Sequence, residues 1–161
     1  MNRVIANPLT KEDFAPFGEV FDTSQFNGSA FVQETFIATD DAKRPVLQMV
    51  RVENVAQELT IRQLETHPFS SQTFLALDQC ASLVIVCKPD TSGRPDVATL
   101  KAFVAAPNQV VTYRRNVLHH KLTPLKAPAT FAMTMCQTGV GADTIMHDLP
   151  QAVTIDIESA S

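Results

Sequence analysis

In the segment LETHPFSSQTF, Glu65 and His67 stand two residues apart, and Gln72 follows shortly after. On a strand, that spacing sends Glu65 and His67 out of the same face. A carboxylate and an imidazole side by side are metal ligands, and the amide of Gln72 adds a third ligand-capable group. Downstream, the segment RRNVLHH ends in His119 and His120. Adjacent strand residues face opposite ways, so only one of the pair can enter a pocket, and His119 is assigned there. Glu65, His67, Gln72 and His119 together would form a mixed N/O site suited to nickel, manganese, iron or zinc. A lone Glu-x-His pair is often a solvent-facing accident. What raises this one is the crowding of Ser70, Ser71 and Gln72 just before the apolar run TFLAL.

Two arginines invite a second kind of chemistry. A guanidinium grips a carboxylate at two points, which a lysine cannot match, so Arg115 and Arg51 are candidate carboxylate clamps. An arginine at a strand end such as Arg51 ordinarily runs out to water. His147, in IMHDLP, has no partner at ligand spacing and reads as a surface or loop histidine. Met133, Met135 and Met146 read as core filling. The chain has no G-x-S-x-G, no phosphate-binding loop and no dinucleotide fingerprint, so nothing supports hydrolase-elbow, kinase-like or nicotinamide chemistry.

These residues need strands to hold them. Short apolar or alternating runs follow one another, namely EVFDT, AFVQETFIA, VLQMVRV, LTIRQLE, SQTFLAL, SLVIVCK, LKAFVA, QVVTYR, TFAMTMC and AVTIDI. Gly, Pro, Asn and Asp punctuate them, most clearly in PDTSGRPD and APNQ. No window of a dozen residues keeps a helical period free of Pro or Gly, which leaves a parallel α/β sheet without crossover helices. One short helix is expected in TKEDFAPF, capped by Thr10 with Asp13 three residues on, acting as a lid or plug. The expected architecture is all-β, a small antiparallel barrel of two sheets with a ligand cavity near one mouth.

The 161 residues are read as one domain spanning 1–161, long enough to bury a sizeable core. A net charge of -4 with 13 Lys and Arg leaves no basic stripe, so nucleic acid is not an expected partner. Cys80, Cys87 and Cys136 lack metal or redox spacing and fit buried, reduced thiols. With no apolar run of membrane-spanning length and no signal-like start, the chain is expected to be soluble and cytoplasmic.

Several stretches together resemble one family. PLTKEDFAPFGEV, LTIRQLETHPFSSQTFLAL and LKAFVAAPNQVVTYRRNVLHH, with Phe131 beyond, are similar to the ureidoglycolate lyases of allantoin catabolism. The likeness runs from about residue 8 to 135, and L-E-x-H-P-x-x-S-Q-x-F is its most specific part. It implies a cupin-type barrel, a homodimer, and cleavage of ureidoglycolate to glyoxylate and urea. On this resemblance Glu65, His67, Gln72 and His119 take the metal positions. Glu65 is the first candidate for base and His120 for proton donor, while Arg51, Ser71, Tyr113 and Arg115 are candidates for binding a small carboxylate substrate.

The chain departs from the family pattern at definite places. Y-H-R-G-V-W-H-H is replaced by Tyr113, Arg114, Arg115, Asn116, Val117, Leu118, His119 and His120, and Met135 stands near a usual aspartate. An N-terminal N-N-G-x-x-x-R-x-H survives only as Asn27 and Gly28, with Val32 and Glu34 near the missing Arg and His. Two alternatives stay open on these departures: a cupin acting on another small carboxylate, and a non-catalytic cupin that binds a small acid.

Overall fold

The computed structural model describes residues 2–157. Its elements run β1 (Asn2–Pro8), α1 (Lys11–Phe14), β2 (Gly18–Asp22), β3 (Arg44–Val52), β4 (Leu59–Thr66), β5 (Gln72–Ala76) and β6 (Ser82–Pro89). Then follow β7 (Pro95–Ala105), β8 (Gln109–Tyr113), β9 (Leu118–His119), β10 (Thr123–Pro124), β11 (Ala129–Gln137) and β12 (Ile145–Ile157). Strands β6, β7, β1, β12, β4 and β9 pair in that order, and β9 returns to β6, closing a ring. A second sheet, β2-β8-β5-β11-β3, packs against it. This is the expected all-β, cupin-like barrel with one short helix. Its ladders are antiparallel except those of β1, which runs parallel to both β12 and β7.

Alternation along the ring strands separates two cores. Leu83, Ile85 and Cys87 of β6 turn into the ring, where they meet Ile61, Leu64, Leu118 and Val153. Val84 and Val86 turn the other way and pack with Phe103, Val111 and Tyr113 between ring and sheet. Thr10 caps α1 as expected, its hydroxyl accepting from Asp13 N at 3.1 Å. Phe14, fully buried, plugs the inter-layer core with edge-on contacts to Phe103 and Tyr113. Gly18 is required where β2 meets β8, since a Cβ there would lie 1.8 Å from the carbonyl oxygen of Thr112.

Two expectations are corrected. AFVQETFIA forms turns rather than a strand, with one bridge from Ala38 to Ser70. Phe36 takes φ 59, which breaks an extended run. The segment instead lies over the outer face of the second sheet, where Thr35 joins a hydroxyl chain through Thr73, Thr112 and Thr134. IMHDLP opens β12, so His147 is a strand residue, its Nε2 2.8 Å from Thr66 Oγ1. No helix among the described residues is long and apolar enough to cross a membrane.

Candidate metal centre

β9 is two residues long, and its alternation places the key imidazole. Leu118 turns into the ring core while His119 turns toward the second sheet. Opposite it in the ladder stands Glu65 of β4, and His67, two residues on, shares the face of Glu65. From the second sheet, Gln72 at the start of β5 completes the group, with Oε1 3.2 Å from His119 Nε2. Glu65 Oε1 lies 3.4 Å from His119 Nε2 and 3.6 Å from His67 Nε2. One ligand atom each from Glu65, His67 and His119 falls within 4.8 Å of the others. The residues singled out for their spacing are brought together at the junction of the two layers.

The protonation of the cluster follows from its surroundings. His119 Nδ1 donates to the carbonyl of Val117 at 2.8 Å, which leaves Nε2 with its lone pair directed at the cluster. Gln72 Oε1 and Glu65 Oε1 are acceptors too. His67 Nδ1 sits 3.3 Å from Thr144 Oγ1, and its Nε2 is buried with no hydrogen-bond partner. Converging lone pairs with an orphaned buried nitrogen call for a positive centre between them. The donor set therefore fits a divalent transition metal. Burial alone would raise the pKa of Glu65, but a proton on either neighbouring ring nitrogen, His119 Nε2 or His67 Nε2, outweighs it and holds the carboxyl well below the usual range, and a positive centre at the same point would act in the same direction. Tyr113 stacks on His119 with ring centroids 4.2 Å apart, and burial raises its phenol above the ordinary value.

A cavity of about 470 Å3 reaches the cluster at Gln72 and is lined also by Phe74, Met133 and His120. His120 is therefore not lost to the outside of the barrel. Its burial, reinforced by Lys121, pushes its pKa down to about 4, so it is neutral at pH 7. Lys121, which sequence reasoning passed over, lines this cavity and a neighbouring one that touches Glu65. Its only signal was its position directly after the paired histidines.

Three proposed binding residues lie elsewhere. Val50 and Val52 face the cavity, so alternation turns Arg51 outward, where Nε donates to Glu53 at 2.6 Å. Ser71 turns away from its neighbour Gln72, and its hydroxyl accepts from Ile37 N at 3.0 Å. Arg115 shares with Ser71 a separate cavity of about 440 Å3, together with Glu34, Ile37 and Arg114. Two of the departures from the family pattern, Glu34 and Arg114, meet there. Arg114 binds Glu34 at two points, at 2.7 and 2.6 Å, and donates to Ala15 O at 2.6 Å. Asn116 N, two residues on, donates to His67 O at 3.1 Å, which ties this turn to the cluster. Leu118 packs inside the ring and does not shape the cavity, whereas Met135 pairs in register with Gln72.

A closed β-ring whose His, His and Glu cluster is walled in by a second sheet defines a small cupin-like protein with a candidate metal site. The ureidoglycolate lyase family profile matches residues 1–156, and the chain belongs to that family. A protein of Agrobacterium fabrum with a provisional ureidoglycolate lyase name is 49% identical over 157 residues, covering 98% of this chain and 97% of its own. The ureidoglycolate lyase of Chelativorans sp. is 38% identical over 138 residues, covering 78% and 79%. A solved oxalate decarboxylase chain is 13% identical, with 81% of this chain and 32% of that one covered and a TM-score of 0.43.

Proposed function

We propose that this chain is a lyase that breaks the C–N bond of ureidoglycolate, releasing glyoxylate and urea. The observation that carries the reading is the convergence of Glu65, His67, Gln72 and His119 on one point beside a cavity, within a chain of this family. His67, Gln72, His119 and, when it is not acting as base, Glu65 would hold a divalent nickel, manganese, iron or zinc ion. Such an ion, when bound, supplies Lewis-acid stabilisation of developing negative charge on oxygen.

Ureidoglycolate is a hemiaminal. Its O–H proton leaves, the C–O bond becomes C=O, and the C–N pair departs with the urea nitrogen, which takes up a proton. No water is consumed. Glu65, held ionised, accepts the hydroxyl proton. His120, neutral and on the cavity wall, hydrogen-bonds the departing nitrogen, and the proton that nitrogen takes up is the one Glu65 accepted from the hydroxyl. Lys121 offers its charge to the substrate carboxylate, a role for which the cavity gives it a better position than Arg115, Arg51 or Ser71. Tyr113 acts by stacking on His119 and holding that ring in place.

One domain over residues 1–161, a homodimer and a cytoplasmic setting for the three buried thiols belong to the same reading. Sedimentation of a stable 17.6 kDa monomer at micromolar concentration would remove the dimer from it. The kinetic test compares Glu65→Gln with Lys121→Met and Arg115→Ala on the metal-loaded protein, following glyoxylate. Loss of the base lowers mainly kcat, and loss of a carboxylate partner used equally in ground and transition states raises mainly KM. If ureidoglycolate and its near relatives bind without turnover, the lyase reading fails and a small-acid-binding protein takes its place.

A further inference from the structure

Ureidoglycolate is a three-carbon, polar molecule, and the cavity beside the cluster is not small and is apolar over much of its wall. Its volume of about 470 Å3 lies in the range of pockets that enclose much larger ligands. Its polar groups are Gln72, His120, Lys121, Thr123 and Asn54, and between them runs an apolar stretch made of Phe74 and Met133 from the second sheet, Val50 and Val52 from the edge strand β3, and Leu122 opposite. The register explains why these side chains collect. Met133 pairs with Phe74 and Met135 with Gln72, so the inner face of β5 and β11 turns from polar at the cluster to apolar one step along. Phe131, paired with Val50, continues that face. A polar group laid along this apolar stretch, away from Gln72, His120 and Lys121, would be left without partners, which costs roughly 1–3 kcal/mol for each unmet group.

We propose that the substrate class is broader than ureidoglycolate itself: glyoxylate hemiaminals whose leaving nitrogen belongs to a urea or amide bearing an apolar substituent of about four carbons. The inference rests on the C–N lyase reading above. The carboxylate and hydroxyl lie at the Gln72, His120 and Lys121 end. The substituent runs along Phe74 and Met133 toward Val50 and Val52. The reaction balances as before. The hydroxyl proton is removed, the C–O bond becomes the aldehyde of glyoxylate, and the C–N pair leaves on the substituted urea or amide, whose nitrogen regains one proton. No further reactant is needed.

The test pairs turnover with equilibrium binding on the full chain supplemented with manganese(II). Ureidoglycolate and its N-butyl derivative are compared by glyoxylate release. Oxalurate and N-butyl oxalurate, flat amides that cannot undergo the elimination, are compared by calorimetry. Each fully buried methylene is worth roughly fourfold in affinity, so the butyl compounds are expected to lead by tenfold or more in kcat/KM and in Kd. Met133→Thr and, at the half-buried mouth, Val52→Asn are expected to shrink both ratios at least threefold, with thermal unfolding checking that each variant is folded. Equal or weaker binding of the butyl oxalurate, or ratios unmoved in both variants, overturns the inference. Turnover of ureidoglycolate with no butyl advantage overturns it while leaving the lyase reading intact. No turnover of either substrate defeats the lyase reading, and the proposed substrate class with it, even if the butyl preference in binding persists.

Discussion

Replacing His67 by leucine separates a metal site from a structural polar network, because the two predict opposite effects on stability. His67 is 5% exposed, its Nε2 has no hydrogen-bond partner, and its Nδ1 has only Thr144 Oγ1 at 3.3 Å. An unmet buried polar group costs roughly 1–3 kcal/mol. In metal-free protein, His67→Leu should therefore leave the melting temperature level or raise it a few degrees, although it replaces a buried residue of the site. Metal addition should do the reverse. At a free metal concentration a thousandfold above Kd, linkage stabilises the folded parent by about 4 kcal/mol. For a domain of this size 1 kcal/mol moves Tm by roughly 2–4 °C, so the parent should gain roughly 8–16 °C. The leucine variant should gain little of that. Scanning fluorimetry with nickel, manganese, iron and zinc in turn reads both effects, and elemental analysis gives the stoichiometry, expected to be about one ion per chain. A parent with no shift for any of the four ions refutes the argument, as does a variant that retains the full shift.

Other expectations follow from the same contacts. His119→Ala should also abolish metal binding, and elemental analysis of the purified variant checks it. Breaking the two-point pair by Arg114→Met or Glu34→Gln should lower stability by roughly 1 kcal/mol, discounted for the partial exposure of both groups; a double-mutant cycle in urea should show the two changes to be coupled. Gly18→Ala should disrupt the β2–β8 ladder, because its Cβ would meet Thr112 O, and soluble yield with circular dichroism reports this. Burial raises the Cys87 thiol above its ordinary pKa, so at pH 8.5 Cys87 is less ionised than a free thiol. Raising the pH toward 8.5 should thus speed its alkylation far less in native protein than in unfolded protein, as read by mass spectrometry.

The chain order alone brought out the residues of the candidate metal cluster and nine of the twelve strands among the described residues, and tertiary structure decided which neighbours share a pocket. Glu65 and His67 were legible because a spacing of two on a strand puts both on one face wherever that strand ends up. The cap at Thr10 was legible for the same reason, being a contact over three residues. AFVQETFIA misled because its apolar residues look like a strand while Phe36 bends the backbone and no ladder receives it. Arg51, Ser71 and Arg115 have the chemistry of a carboxylate site, yet alternation turns Arg51 and Ser71 away from the metal cluster, and Arg115 lies on a turn that lines a separate cavity. The apolar wall of Phe74 and Met133 comes together through register between strands distant in sequence, which no local pattern encodes, and Lys121 lines the same cavity from the loop after β9. The two substitutions at Glu34 and Arg114, eighty residues apart, became one feature only when the loop before β3 folded over the second sheet and brought carboxylate and guanidinium together.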